Sequence, residues 1–195
     1  MRREDIPRRF KAVVADHLKR SNPQYKNGRF PISEKALQIE MADAFREANL
    51  PFSRERKYPG NTILIDFELF GESAVHIEIE WEAKLTDGFA MRTFHDLHKL
   101  DKIPKGAWGM FLALNVGDKY SRPTRETRTK DARSFYTSPR GYRTLLAKKW
   151  DDSAEHDLLR CNPMFWRWPY GPKYSVTVLT CYGRNLGNSR WSPEP

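Results

Sequence analysis

The sequence predicts an α/β domain with a mixed central sheet flanked by helices. Three observations carry that prediction. "AVHIEIEWEAKL", Ala74 to Leu85, alternates apolar and charged residues, as a strand with one buried face does. "WGMFLALNV", Trp108 to Val116, is a continuous apolar run, as in a central strand covered on both sides. Around them, apolar residues recur at helical spacing.

Asp5 and Pro7 open a helix that runs to about Arg20, with Phe10, Val13, Val14, His17 and Leu18 on one face. "SNPQYKNGRFP" breaks the pattern. Ser33 is placed to cap a second helix over Glu34 to Asn49, with Leu37, Met41, Ala44, Phe45 and Ala48 as its buried stripe and Pro51 as its stop. Three strands follow: Phe52–Tyr58, Asn61–Phe70 with Ile63, Ile65, Phe67 and Leu69 on one face, and Ala74–Leu85. A helix over Ala90 to Lys102 precedes the apolar strand. Beyond Gly117 a polar, basic stretch without period reads as a long loop, then helices over Tyr142–Trp150 and Ser153–Leu159. "KYSVTVLTCY" is a last strand, and the tail from Gly183 reads as irregular. The expected organisation is one domain in three parts: residues 1–32, a core over 33–116, and an elaboration over 117–195.

The chain has 195 residues and a formal net charge of +9, which favours an anionic partner over a neutral one. Cys161 and Cys181 form no C-x-x-C pair and have no histidine cluster near them, which argues against the usual zinc modules; the two could form a disulfide, but two reduced thiols are the expectation for a cytosolic chain. No run of ~18 apolar residues is present, and the charged N-terminal segment has no apolar signal core, so the expected location is the cytoplasm, away from membranes. GxxxxGK[ST] and GxGxxG are absent, as are the motifs of Ser/His/Asp and Cys/His catalysis.

The chemistry concentrates in the hairpin. A three-residue turn at Gly71-Glu72-Ser73 pairs positions whose numbers sum to 144, which sets Asp66 opposite Glu78 and Leu64 opposite Glu80. Paired residues share a face, so Asp66, Glu78, Glu80 and Glu82 gather into one acidic patch with Lys84 at its end. Like charges at that spacing repel, and water, basic neighbours or a bound cation must offset the repulsion. A hard divalent ion suits oxygen ligands, polarises a phosphate and lowers the pKa of a bound water. A solvated sheet face, on which Glu and Lys alternate for solubility, is the competing explanation.

The arrangement resembles the PD-(D/E)XK nuclease superfamily, with its restriction-endonuclease-like core of helix, three antiparallel strands, helix and strand. Asp66 matches the acid of that family's second strand. Glu82-Ala83-Lys84 matches Glu-x-Lys on the third, and Glu40 matches a further acid on the preceding helix. Ile65 stands where the family often has proline. Glu78-x-Glu80 and Glu80-x-Glu82 fit a variant in which glutamate replaces the lysine. The resemblance implies Mg²⁺- or Mn²⁺-dependent hydrolysis of DNA, with RNA open as an alternative. Asp66, Glu80 and Glu82 would bind the metal, Lys84 would orient the attacking water, and Glu40 would hold a metal-bound water or a second ion. A catalytically inactive module that binds nucleic acid or a protein partner stays open, as does a homodimer. Arg125, Arg128 and Lys130 in the basic loop are the expected phosphate contacts. His95, His98 and Lys99 either meet the site or DNA, or are solvated. Trp166, Arg167, Trp168 and Tyr170 suit either base stacking or core packing.

Overall fold

A computed structural model describes residues 1–20, 33–57, 64–82, 95–118, 158, 161–170, 174–187 and 191–192, and for residues 82, 115–118, 174 and 175 the backbone only. The described residues form a mixed α/β structure. Helices α1 (Ile6–Arg20) and α2 (Glu34–Glu47) precede strands β1 (Phe52–Lys57), β2 (Leu64–Leu69) and β3 (Val75–Glu82). Residues 95–100 are helical (α3). Strands β4 (Trp108–Asp118), β5 (Met164–Tyr170), β6 (Tyr174–Asn185) and β7 (Trp191–Ser192) follow. They make one seven-stranded sheet in the order β1-β2-β3-β4-β6-β5, with β7 paired to β6. The β3–β4 pair is parallel and every other pair is antiparallel. Among the described residues no helix is long and apolar enough to cross a membrane.

Two apolar clusters sandwich the sheet. Under α1 and α2, Phe10, Val14, Leu37, Met41 and Phe45 pack on Phe67, Ile77, Met110 and Leu112. On the other face Leu97 and Leu100 of α3 pack with Ile65, Phe111, Leu179 and Trp191. Strand β4 feeds alternate residues to each cluster, which is why its sequence is apolar throughout. Phe45 meets Phe67 edge-on at 5.4 Å and Phe52 at 5.7 Å, which fixes α2 over the first two strands. Ser33 Oγ accepts the Ala36 amide at 3.1 Å and caps α2 as its sequence position predicts.

The hairpin register follows from parity. Phe67 pairs with Ile77, Glu68 with His76 and Leu69 with Val75, each summing to 144. Four expectations need correction. The segment 164–170, read as an aromatic-basic mix, is strand β5; it stands at the end of the strand order, where the missing N–H of Pro169 is tolerated. The tail is not irregular from Gly183: β6 continues to Asn185, and Trp191–Ser192 form β7. Its order has a physical cause. Asn185 Nδ2 donates to the Ile103 carbonyl at 2.8 Å, and Trp191 Nε1 donates to Asp101 at 3.0 Å. The Trp191 ring lies where a Cβ on Gly109 would come within 2.6 Å, so glycine makes its seat. Strand β4 runs two residues past Val116 because its pairing with β6 continues to Asp118. Finally, Ile65 does not share a cluster with Phe67 and Leu69. The break falls at Asp66, where the β1–β2 register passes from Arg54–Phe67 to Arg56–Ile65 and skips Glu55, whose φ is +50°. The predicted helices at 142–150 and 153–159 lie outside the described residues, apart from the buried Leu158.

Candidate functional site

The sheet opens where β2 and β3 part. The paired residues of that hairpin end at Phe67 and Ile77, and beyond them the Asp66 side chain takes over the backbone's role. Its Oδ2 accepts the Ile79 amide at 2.7 Å and its Oδ1 accepts Gln38 Nε2 from α2 at 2.9 Å. This fork is one wall of a cavity of about 330 Å³. Strand β3 adds Glu78, Ile79 and Glu80, α2 adds Glu34 from its first turn, and α3 adds His95, Asp96 and Lys99. Gln38 and Glu34 stand four residues apart on one face of α2, with Gln38 Nε2 3.3 Å from Glu34 Oε1.

Glu78 and Glu80 are almost wholly buried, at 1% and 3% exposed. Carboxylates with so little water require counter-charge. Lys99 supplies part of it: its Nζ lies 3.0 Å from Glu78 Oε2 and 2.8 Å from Asp96 Oδ1. Burial pushes the Lys99 ammonium down, but the Glu78 and Asp96 carboxylates outweigh burial and hold its pKa above the ordinary lysine value. One ammonium does not neutralise the whole cluster. Burial, and then the charge of Glu34, raises Asp66 to about 7 against the pull of the Ile79 amide. Burial and the neighbouring Asp66 and Asp96 raise Glu78 well above the carboxylate range. Glu78 Oε1 is buried and has no hydrogen-bond partner among the described residues. The row on β3 is therefore no solvated face; it is the floor of a pocket.

The predicted residues divide. Asp66, Glu78 and Glu80 come together in the pocket. Glu82 is the last residue of β3, its backbone beside Asn115 of β4. Lys84 lies outside the described residues, as do Arg125, Arg128 and Lys130. Glu40 is elsewhere: Oε1 stands 2.5 Å from His17 Nδ1 and Oε2 accepts Arg20 Nη2 at 2.6 Å, so it ties α2 to α1. The α2 residue at the pocket is Glu34. Sequence reasoning missed Glu34, Gln38 and Asp96. The i, i+4 spacing of Glu34 and Gln38 and the i, i+3 spacing of Asp96 and Lys99 were the available signals.

Mg²⁺ is usually held by one or two carboxylates, with water and substrate phosphate completing the shell. Asp66 and Glu78, two hard-oxygen donors with one orphaned oxygen between them, fit that demand. Among the described residues no group of three or more His, Cys, Asp or Glu side chains is arranged to hold an ion as a complete protein cage. Comparison of the chain with protein-family models, with curated proteins and with solved structures found no match in any of the three.

Proposed function

We propose that the chain is a metal-dependent nuclease that hydrolyses phosphodiester bonds of DNA on a restriction-endonuclease-like core. The convergence of Asp66, Glu78 and Glu80 at the fork of β2 and β3 carries this reading. The order α2, β1, β2, β3, α3, β4, with one parallel pair, agrees with it. Asp66 and Glu78, with Glu80 beside them, would hold Mg²⁺ or Mn²⁺, and Glu82 would be a further ligand. A cation bound there polarises a phosphate and makes an adjacent water more acidic. The remaining work falls to the chain. Gln38 and the Ile79 amide fix the Asp66 carboxylate from two sides. Lys99 places a positive charge in the same pocket, where it can face a phosphate oxygen as well as Glu78. Glu78-x-Glu80 then serves as the acidic pair of the third strand.

A plasmid-nicking assay with and without Mg²⁺ tests the proposal, with an RNA substrate in parallel. Phosphate contacts at Arg125, Arg128 and Lys130 should make affinity fall with salt, by a log–log slope of about −0.9 per contact on duplex DNA. Charge reversal at these positions should weaken binding alike for every sequence, as filter binding would read. One observation favours a second reading. The Lys99 ammonium already pairs with Glu78 and Asp96, as it would in an inactive module that binds nucleic acid without cutting it. DNA binding without cleavage in either Mg²⁺ or Mn²⁺ would select that reading.

A further inference from the structure

A second cavity, of about 630 Å³, lies between α1 and the terminal strand β5. Its volume is that of a small-ligand site. The α1 wall carries Lys11, Leu18 and Lys19, and the β5 wall carries Trp166, Trp168 and Tyr170. The three aromatic residues alternate along β5 and so share its α1-facing side, where all three pack at the edge of the first apolar cluster. Both tryptophans are half-buried, which leaves part of each ring open to the cavity. The Lys11 ammonium stands 5.6 Å from the Trp166 ring centre. Arg167 lines the cavity as well; Lys19 lies 3.7 Å from Asp16, which is not on the wall, and among the described residues no carboxylate is. Tyr170 is 8% exposed, and its hydroxyl has no hydrogen-bond partner among the described residues.

Each feature narrows the ligand. Two indole faces call for a flat aromatic group. Two ammonium groups without a carboxylate call for negative charge. A buried hydroxyl without an acceptor calls for a ligand carbonyl or ring nitrogen. We infer that this cavity binds unpaired nucleotides of a single-stranded nucleic acid. Bases stack on Trp166 and Trp168, backbone phosphates meet Lys11 and Lys19, and the Tyr170 hydroxyl donates to a base. Paired bases offer their edges and not their faces, so a duplex does not fit. Stacking is indifferent to sequence because every base has a π-face. The cavity shares no residue with the acidic pocket, and the inference stands without the nuclease reading.

The full chain should be titrated with a twelve-nucleotide oligo(dT) and oligo(U), with a twelve-base-pair duplex, with dTMP, and with phosphatidylserine vesicles. Tryptophan emission is followed throughout. The single strands should quench it. Trp168→Leu keeps an apolar side chain but removes the π-face. It should weaken single-strand binding by about 5- to 150-fold, the range of one stacked base, and leave duplex binding within about twofold. Trp168→Phe should retain most of the affinity, which separates stacking from a folding defect. Asp66→Asn should quench as the unaltered chain does, so loss of cleavage and loss of this site are read apart. Unchanged single-strand affinity in both Trp166→Leu and Trp168→Leu would overturn the inference. So would dTMP binding as tightly as the oligomer, which marks a free-nucleotide site, or quenching by vesicles alone, which marks a lipid surface.

Discussion

The two cavities of this molecule lean on the same sheet and are made of opposite materials. Five carboxylates, from Glu34, Asp66, Glu78, Glu80 and Asp96, line the first, with Lys99 among them. Among the described residues no carboxylate lines the second, whose walls are indole rings, a phenol, aliphatic side chains, two lysines and Arg167. The first is assembled from residues 34 to 99, half from neighbouring strands and half from the helices over them; the second joins segments far apart in the sequence, residues 11–19 and 166–170. The difference is energetic as well as compositional. Burying like charges destabilises the fold unless counter-charge is supplied, whereas half-buried rings cost little and leave contact area unused. On the readings proposed above, the acidic pocket would do the chemistry and the aromatic cavity the holding.

The largest effect that could break this contrast is Asp66→Asn. It should lower Mg²⁺-dependent cleavage by about 10³-fold or more while single-strand binding persists, as nicking and fluorescence assays would show together. The same variant has a pH signature. A carboxyl raised to about 7 in the folded state binds its proton more tightly there than in the unfolded chain. Its contribution to stability is thus full below about pH 4 and is lost as pH rises through about 7. Without metal, the unfolding midpoint of the unaltered chain should fall across that window more steeply than that of Asp66→Asn.

Next in size is Lys99→Met, which strands Glu78 and Asp96 without their ammonium. Breaking a buried pair this way costs about 3–5 kcal/mol in urea denaturation. Mg²⁺ should recover part of the loss, and failure to do so would show that the pocket takes no cation. Lys11→Met at the other cavity should change stability by no more than about 0.5 kcal/mol.

Smaller effects sharpen the assignment of α2. Glu40→Gln weakens the ties to His17 and Arg20 and should cost about 1–2 kcal/mol, with cleavage unchanged within about threefold. A loss of activity comparable to that of Asp66→Asn would return Glu40 to the site. Ser33→Ala removes the α2 cap and should cost about 1 kcal/mol by chemical denaturation. Its effect on cleavage should exceed its effect on tryptophan quenching, because Glu34 sits in the turn that Ser33 anchors.

Much of this was legible in the sequence, and the reasons are local. The hairpin register follows from a three-residue turn and the two-residue period of a strand, so Asp66 could be placed near the β3 acids before any coordinates, although pairing stops at Phe67–Ile77 and the expected Asp66–Glu78 and Leu64–Glu80 pairs are not formed. The two-sided burial of β4 was written in its unbroken apolar run. What was illegible depends on contacts distant in sequence. Glu34 and Glu40 both stand on α2, and which of them meets β2 is decided by the Phe45–Phe67 contact, not by helix periodicity. Lys99 could be read only as either a site or DNA contact or a solvated residue, and its place over Glu78 decides between them. Strand β5 carries an arginine and a proline in seven residues, a pattern that only its terminal place in the sheet permits.

That terminal place bears on self-association. A sheet that ends in open strands invites a second copy to extend it. One end of this sheet is β5, interrupted by Pro169, whose nitrogen donates nothing to an incoming strand. The other is β1, reading Arg54, Glu55, Arg56 and Lys57, with a positive φ at Glu55 that bends it away from a flat template. Two copies meeting β1 to β1 would bring Arg54, Arg56 and Lys57 of one copy close to those of the other, an excess of positive charge that Glu55 and the Arg56–Glu68 ion pair offset only in part. Crowded folding conditions should therefore not drive this basic chain into sheet-extended dimers or fibres through β1 or β5.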